Sequence, residues 1–198
     1  MTTKAERTKA FIVETVAPIF NKLGYVGTSM SDLTEATGLT KGALYGNFEN
    51  KEALALTAFE YNSTLLLAEI DEQLAVEGKA LDKLFSLTAF YKQYDVFTSR
   101  MGGCPILNIG VDAKNNNKLL SAAAKETAKT IEGKIALVLE NGYNKQEIRL
   151  PVTPLQFAKQ LYTMIQGAVA MATITNDRKY LLNTTSYLNH LITQEIKK

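Results

Sequence analysis

The chain has 198 residues, 46% of them hydrophobic and 21% charged, with 22 Lys and Arg against 20 Asp and Glu for a formal net charge of +2. This is the composition of a globular chain of one or two domains with enough length to bury a core; it excludes a disordered, collagen-like or polycationic protein, so any nucleic-acid binding must come from locally placed charges. Cys104 and His190 are each the only residue of their kind, which excludes an internal disulfide and a metal site built from several Cys or His, weighs against an enzyme, and leaves no cofactor expected.

The first ten residues carry Lys4, Glu6, Arg7 and Lys9 and lack the apolar stretch of a signal peptide. From Ala5 to Leu23, the residues Ile12, Val16, Ile19, Phe20 and Leu23 fall on one helical stripe, which Gly24 is expected to end. Ser29-Met30-Ser31-Asp32 has the spacing of a capping box, with Asp32 at the positive end of a short helix over 30–37. Gly38 breaks that helix, and Thr40 caps a second short one reaching Phe48. Asn50 caps a third that begins at Lys51 and carries Leu54, Ala58, Tyr61, Leu65, Ala68 and Leu74 as far as Gly78. Further helices are predicted over 79–98, 105–113, 117–141, 154–176 and 178–196, with Pro105 and Pro154 in first-turn positions and Gly142 at a helix end. The apolar run between Lys159 and Asp177 is interrupted by Gln160, Thr163, Gln166, Thr173 and Thr175, too short and polar for a membrane span. With no period-two pattern, repeat or flexible linker, the expectation is an all-α, soluble, cytoplasmic protein with no membrane partner.

Residues 28–51, TSMSDLTEATGLTKGALYGNFENK, have the spacing of a helix-turn-helix. Leu33 and Leu44 face the angle between the two helices, Leu39 plugs the turn, and Gly38 supplies a backbone conformation costly for other residues. The second helix can then enter the major groove by its N-terminal part, where Thr40, Lys41, Gly42, Ala43, Tyr45 and Asn47 are available.

Here the sequence resembles the TetR family of bacterial transcriptional repressors. Phe20, Gly24, Tyr25, Thr28, Ser29, Leu33, Gly38, Leu39, Thr40, Lys41, Gly42, Leu44, Tyr45, Phe48, Lys51 and Leu54 stand in the family's order. The resemblance implies an N-terminal three-helix helix-turn-helix domain over 1–50 and a C-terminal helical effector-binding and dimerisation domain over 51–198. It also implies that Tyr45 and Lys51 contact phosphates, that Thr28 or Ser29 caps against the backbone, and that Thr40, Lys41 and Asn47 lie at the groove. Independently, Lys51 is a charge at a helix start whose amides also favour phosphate, whereas Phe48 reads as core. Thr34 replaces the family's Ala, and its hydroxyl is expected to bond back to a carbonyl one turn earlier. Gly46 weakens the recognition helix, which is expected to be ordered partly by DNA. Six bases face six acids within residues 1–53, so non-specific affinity should be modest.

In this family the last two helices pair with their copies. The resemblance therefore implies a homodimer through Ile165, Gly167, Ala168, Ala172, Tyr187, Leu188 and Leu191, as a palindromic operator requires; the alternative use of such residues is to close the protomer's own core, and different faces can serve each. Aromatic and sulfur-containing side chains cluster mid-chain. Phe90, Tyr94, Phe97, Met101, Cys104, Asn108, Tyr162 and Gln166 are candidates for lining an apolar effector pocket, with Tyr94, Asn108 or Gln166 as polar anchors, and plain core packing is the alternative for each. The stretch from Gly102 to Gly110 resembles the segment that opens the sixth helix in one TetR subgroup, beside the effector cavity. Cys104 itself reads as a buried structural thiol rather than a redox centre. The expected function is a ligand-responsive, sequence-specific DNA-binding regulator, a repressor released from a pseudo-palindromic operator by a small apolar effector. The alternative is a helical sensor or carrier without DNA binding, against which the complete recognition segment argues.

Overall fold

The computed structural model describes residues 3–198, and in it ten α-helices follow one another: α1 (Lys4–Gly27), α2 (Met30–Thr37), α3 (Lys41–Asn47), α4 (Lys51–Ala75), α5 (Ala80–Lys92), α6 (Tyr94–Ser99), α7 (Pro105–Ala113), α8 (Lys118–Asn144), α9 (Pro154–Thr175) and α10 (Lys179–Leu191). A π-helical turn over Ile192–Ile196 follows, and an isolated antiparallel bridge pairs Ile148 with Lys197. Among the described residues there is no strand.

Local chemistry accounts for most of the boundaries. A capping box of Thr3 and Glu6 starts α1, and Pro105 and Pro154 open α7 and α9, where a missing N–H costs nothing. Three expectations need correction. Gly24 does adopt a left-handed conformation (φ 76°), but α1 resumes beyond it and ends at Gly27, so the glycine makes a kink rather than a stop. The helix predicted over 79–98 is two helices, broken at Gln93, whose N–H donates back to Phe90 O and whose carbonyl accepts the N–H groups of Val96 and Phe97 in α6. The last predicted helix is α-helical only to Leu191 and then widens into the π turn.

The packing resolves two units, Met1–Leu66 with Thr98–Thr127 and Leu67–Phe97 with Ala128–Lys198, so α4 and α8 contribute to both. This line differs from the division expected at residue 50: α7 and the start of α8 belong with α1, α2 and α3. In the first unit α1 packs on α7 and on α2, and Ile12, Val16, Phe20, Leu33, Leu44, Leu54, Phe59, Ile109 and Leu120 form one core. In the second, α10 packs on α9 and α5 over Leu84, Leu87, Leu161, Ile165 and Leu188.

Candidate nucleic-acid interface

The helix-turn-helix is built from caps and a few leucines. Ser29 N–H donates to Asp32 Oδ2 at 2.6 Å and Asp32 N–H donates to Ser29 Oγ at 3.2 Å, which completes the capping box that opens α2. The Ser29 N–H first, and the Ser29 hydroxyl after it, hold the Asp32 carboxyl below the usual aspartate range. Gly38 ends α2 in the left-handed region (φ 66°). Thr40 Oγ1 accepts the N–H of Ala43 (3.1 Å) and Asn50 Oδ1 that of Ala53 (2.8 Å), which caps α3 and α4. Leu33 and Leu44 are fully buried between the helices, each contributing about 1.5–3 kcal/mol, and Phe48 lies in the same core. The Thr34 hydroxyl donates to Ser31 O (3.0 Å), three residues back.

With the inner face fixed, the outer face is small and polar. Ser29, Thr40, Lys41, Gly42 and Gly46 are exposed, and nothing lies within 4 Å of where a side chain on Gly46 would begin. Tyr45 is 41% exposed, with the Lys41 ammonium 5.9 Å from its ring centroid. Ala43 is half-buried, as is Asn47, whose amide donates to Ala43 O (2.9 Å). Thr28 turns inward: it is buried and its hydroxyl donates to Gly24 O at 2.6 Å, so of the two candidate caps Ser29 opens α2 and Thr28 seals the kink in α1.

Lys51 is half-buried at the start of α4, where its Nζ donates to Tyr25 O (2.7 Å) and stands 4.6 Å over the Tyr25 ring. Burial pushes its pKa down, opposed by the charges of Asp112 and Asp32. Asp112 on α7 also accepts the N–H of Tyr25 at 2.7 Å. Sequence reasoning missed this partner because no local signal joins residues 87 apart in the chain.

The other candidates fall in both units. In the first, Met101 and Cys104 are buried, and the Asn108 amide donates to Asn21 O (2.9 Å) and Gly102 O (3.2 Å). Asn21 in turn donates to Met101 O and Gly103 O, both at 2.7 Å, and Gly102 (φ 77°) lies so close to Pro18 O that a Cβ would collide with it. In the second unit Phe90, Tyr94 and Phe97 form a ring cluster with centroids 5.2–6.3 Å apart. Tyr94 is buried, whereas Phe90 and Phe97 line a groove of about 400 Å³ with Glu69, Gln73, Gln93 and Val96. On α9 Tyr162 is buried and Gln166 half-buried. Of the proposed interface residues, Ile165, Ala168 and Leu188 are buried within the protomer, Ala172 and Leu191 are half-buried, and Gly167 and Tyr187 are exposed. Leu155, Met171, Ile174 and Tyr180 on the same two helices are exposed as well. No helix of the described residues is long and apolar enough to cross a membrane.

A capped helix-turn-helix with a small, polar outer face defines a DNA-binding protein. Residues 12–58 match the family described as "Bacterial regulatory proteins, tetR family", and residues 80–188 match "Tetracyclin repressor-like, C-terminal domain". The chain belongs to the TetR family of helix-turn-helix transcriptional regulators and is not an enzyme. Regulators of this family bind DNA operators and typically act as homodimers with small-molecule effectors. The chain is similar to the HTH-type transcriptional repressor ComR of Escherichia coli (strain K12), with 30% identity over 158 residues, 75% of this chain and 71% of that protein. It is also similar to the crystal structure of a TetR family regulator from Cytophaga hutchinsonii, at 33% identity and a TM-score of 0.92 over 100% of both chains. A TetR regulator from Chloroflexus aurantiacus superposes with a TM-score of 0.92 at 30% identity, over 98% of each chain.

Proposed function

We propose that this chain is a repressor that binds a pseudo-palindromic operator as a homodimer and lets it go when a small apolar molecule binds the C-terminal part. The observation that carries this reading is the outer face of α3 and its flanks, where Ser29, Thr40, Lys41, Gly42 and Tyr45 are exposed on a fully capped helix-turn-helix. Thr40, Lys41 and Tyr45 would meet bases and phosphates, and Lys51 would add a phosphate contact from the start of α4. On α9 and α10, the exposed Met171, Ile174, Tyr180 and Tyr187, with the bare Gly167, suit a second copy of the same surface. The half-buried rings of Phe90 and Phe97 suit an apolar effector. The effector need only bind better to a dimer whose recognition helices are mis-spaced for the major groove, and the coupling equals that difference in affinity. A regulator of this kind works in the cytoplasm, beside the chromosome.

The test is selection of duplexes from a random-sequence pool by the full-length chain. Enrichment of an inverted repeat is expected, with half-sites one helical turn or a multiple apart. A pool that stays random, or a consensus without two-fold symmetry, overturns the reading.

A further inference from the structure

Asp112 lies far outside the helix-turn-helix in sequence, yet its carboxylate stands against the chain that enters it and, through Tyr25, is linked to the residue at its far end. At one end, the left-handed Gly24 brings the backbone so close that a Cβ there would stand 2.7 Å from Asp112 Cγ, and the next N–H, that of Tyr25, donates to Asp112 Oδ2. The same Tyr25 residue, through its carbonyl and its ring, holds the ammonium of Lys51 at the other end. One residue beyond Lys51, Glu52 Oε1 accepts a bond from the Asn117 amide (2.7 Å), so the α7–α8 connection grips the start of α4 as well. Asn108, one turn before Asp112, donates to Asn21 O on α1. Helix α7 and its connection to α8 are thus fastened by hydrogen bonds to the places where the chain enters and leaves the DNA-reading segment.

We propose that Asp112 is a positioning residue for DNA binding: it orients the Tyr25 peptide and, through Tyr25, fixes where Lys51 presents its charge to the phosphates. The negative charge also opposes the downward push that burial exerts on the Lys51 pKa. The inference rests on the DNA-binding reading above. A merely structural Asp112 would change stability alone, whereas a positioning Asp112 changes how many phosphates the protein neutralises.

The experiment compares wild type, Asp112→Asn, Asp112→Ala, Lys51→Met and the Asp112→Ala/Lys51→Met double variant, all full-length, by fluorescence anisotropy across a salt series. The probes are the duplex enriched by wild type and an unrelated duplex of equal length. Asp112→Asn keeps an acceptor for Tyr25 N–H and loses about threefold in affinity; Asp112→Ala loses the acceptor too and weakens binding about tenfold on both duplexes. In Asp112→Ala the slope of log affinity against log salt flattens by about one, and adding Lys51→Met costs nothing further. Circular dichroism and thermal unfolding accompany each variant; if Asp112→Ala does not fold, the salt slope of Asp112→Asn decides. A folded variant with wild-type affinity and slope, or independent addition of the two substitutions, overturns the inference alone. A wild type that enriches no duplex overturns the DNA-binding reading and this inference with it.

Discussion

Helices α2 and α3 bury Leu33, Thr37 and Leu44 and take the rest of their definition from Ser29, Gly38 and Thr40, whereas α9 alone buries Phe157, Ala158, Leu161, Tyr162, Ile165, Ala168 and Val169. The two regions solve the same problem, fixing a helix in place, with different currencies of interaction. A segment specified by side-chain caps needs little burial, so its outer face can remain small and polar, as a DNA-reading surface must. A segment specified by apolar packing is embedded on one side and, in this protein, still carries Met171 (39% exposed) and Ile174 (77%) on the other. An outer apolar face of that kind calls for a partner surface.

The contrast breaks most sharply at two neighbouring positions of α9. Ala168→Arg forces a charge into the protomer core and should cost about 3–5 kcal/mol, read as loss of the cooperative thermal transition. Gly167→Arg enters open space and should leave the protomer folded while sedimentation at micromolar concentration shows monomers. If the two variants behave alike, the two-faced reading of α9 is wrong. In the DNA-reading region, Lys51→Ala should weaken binding to all duplexes about tenfold, flatten the salt slope by about one, and lower stability by about 1 kcal/mol because Tyr25 O loses its donor. Thr40→Ala should cost about 1 kcal/mol of stability in chemical denaturation without altering the dimer. The smallest effect is the pH dependence of the α2 cap. Because its folded pKa is depressed, the Asp32 carboxylate contributes stability at neutral pH that is lost as pH falls below the ordinary aspartate range and through that lowered value. An NMR titration of Asp32 should show the depressed midpoint, and Ser29→Ala should return it toward the ordinary one.

Features whose cause lies within three or four residues are legible in the sequence. The caps at Ser29, Thr40 and Asn50 and the first-turn prolines are of this kind, and the structure forms each one. Gly24 is half legible: the residue type announces a left-handed conformation, but not that a further stretch of helix follows it. The break at Gln93 is invisible, since neither glycine nor proline marks it and the residues on both sides keep a helical pattern. Which face of α9 points inward is undecided by periodicity, because Ile165 and Ala168 on one side and Gly167 and Met171 on the other are all apolar or small. Asn108 looks like a ligand anchor in sequence, yet its amide is engaged by Asn21 O and Gly102 O. The Asp112–Tyr25–Lys51 junction depends on residues brought together only by the packing of α1 on α7.

The bond from Lys51 Nζ to Tyr25 O joins residues 26 apart and so makes the intervening stretch a closed loop. Closing a loop of that length costs roughly (3/2)RT ln n in chain entropy, already met once the tie forms, and the enclosed residues then share one fate. Their slowest amides should exchange with solvent together rather than one by one. In engineering terms the segment is a cassette: a recognition sequence from another regulator, grafted between a retained Tyr25 and a retained Lys51, would inherit this chain's mounting and leave the remainder of the molecule unaware of the exchange.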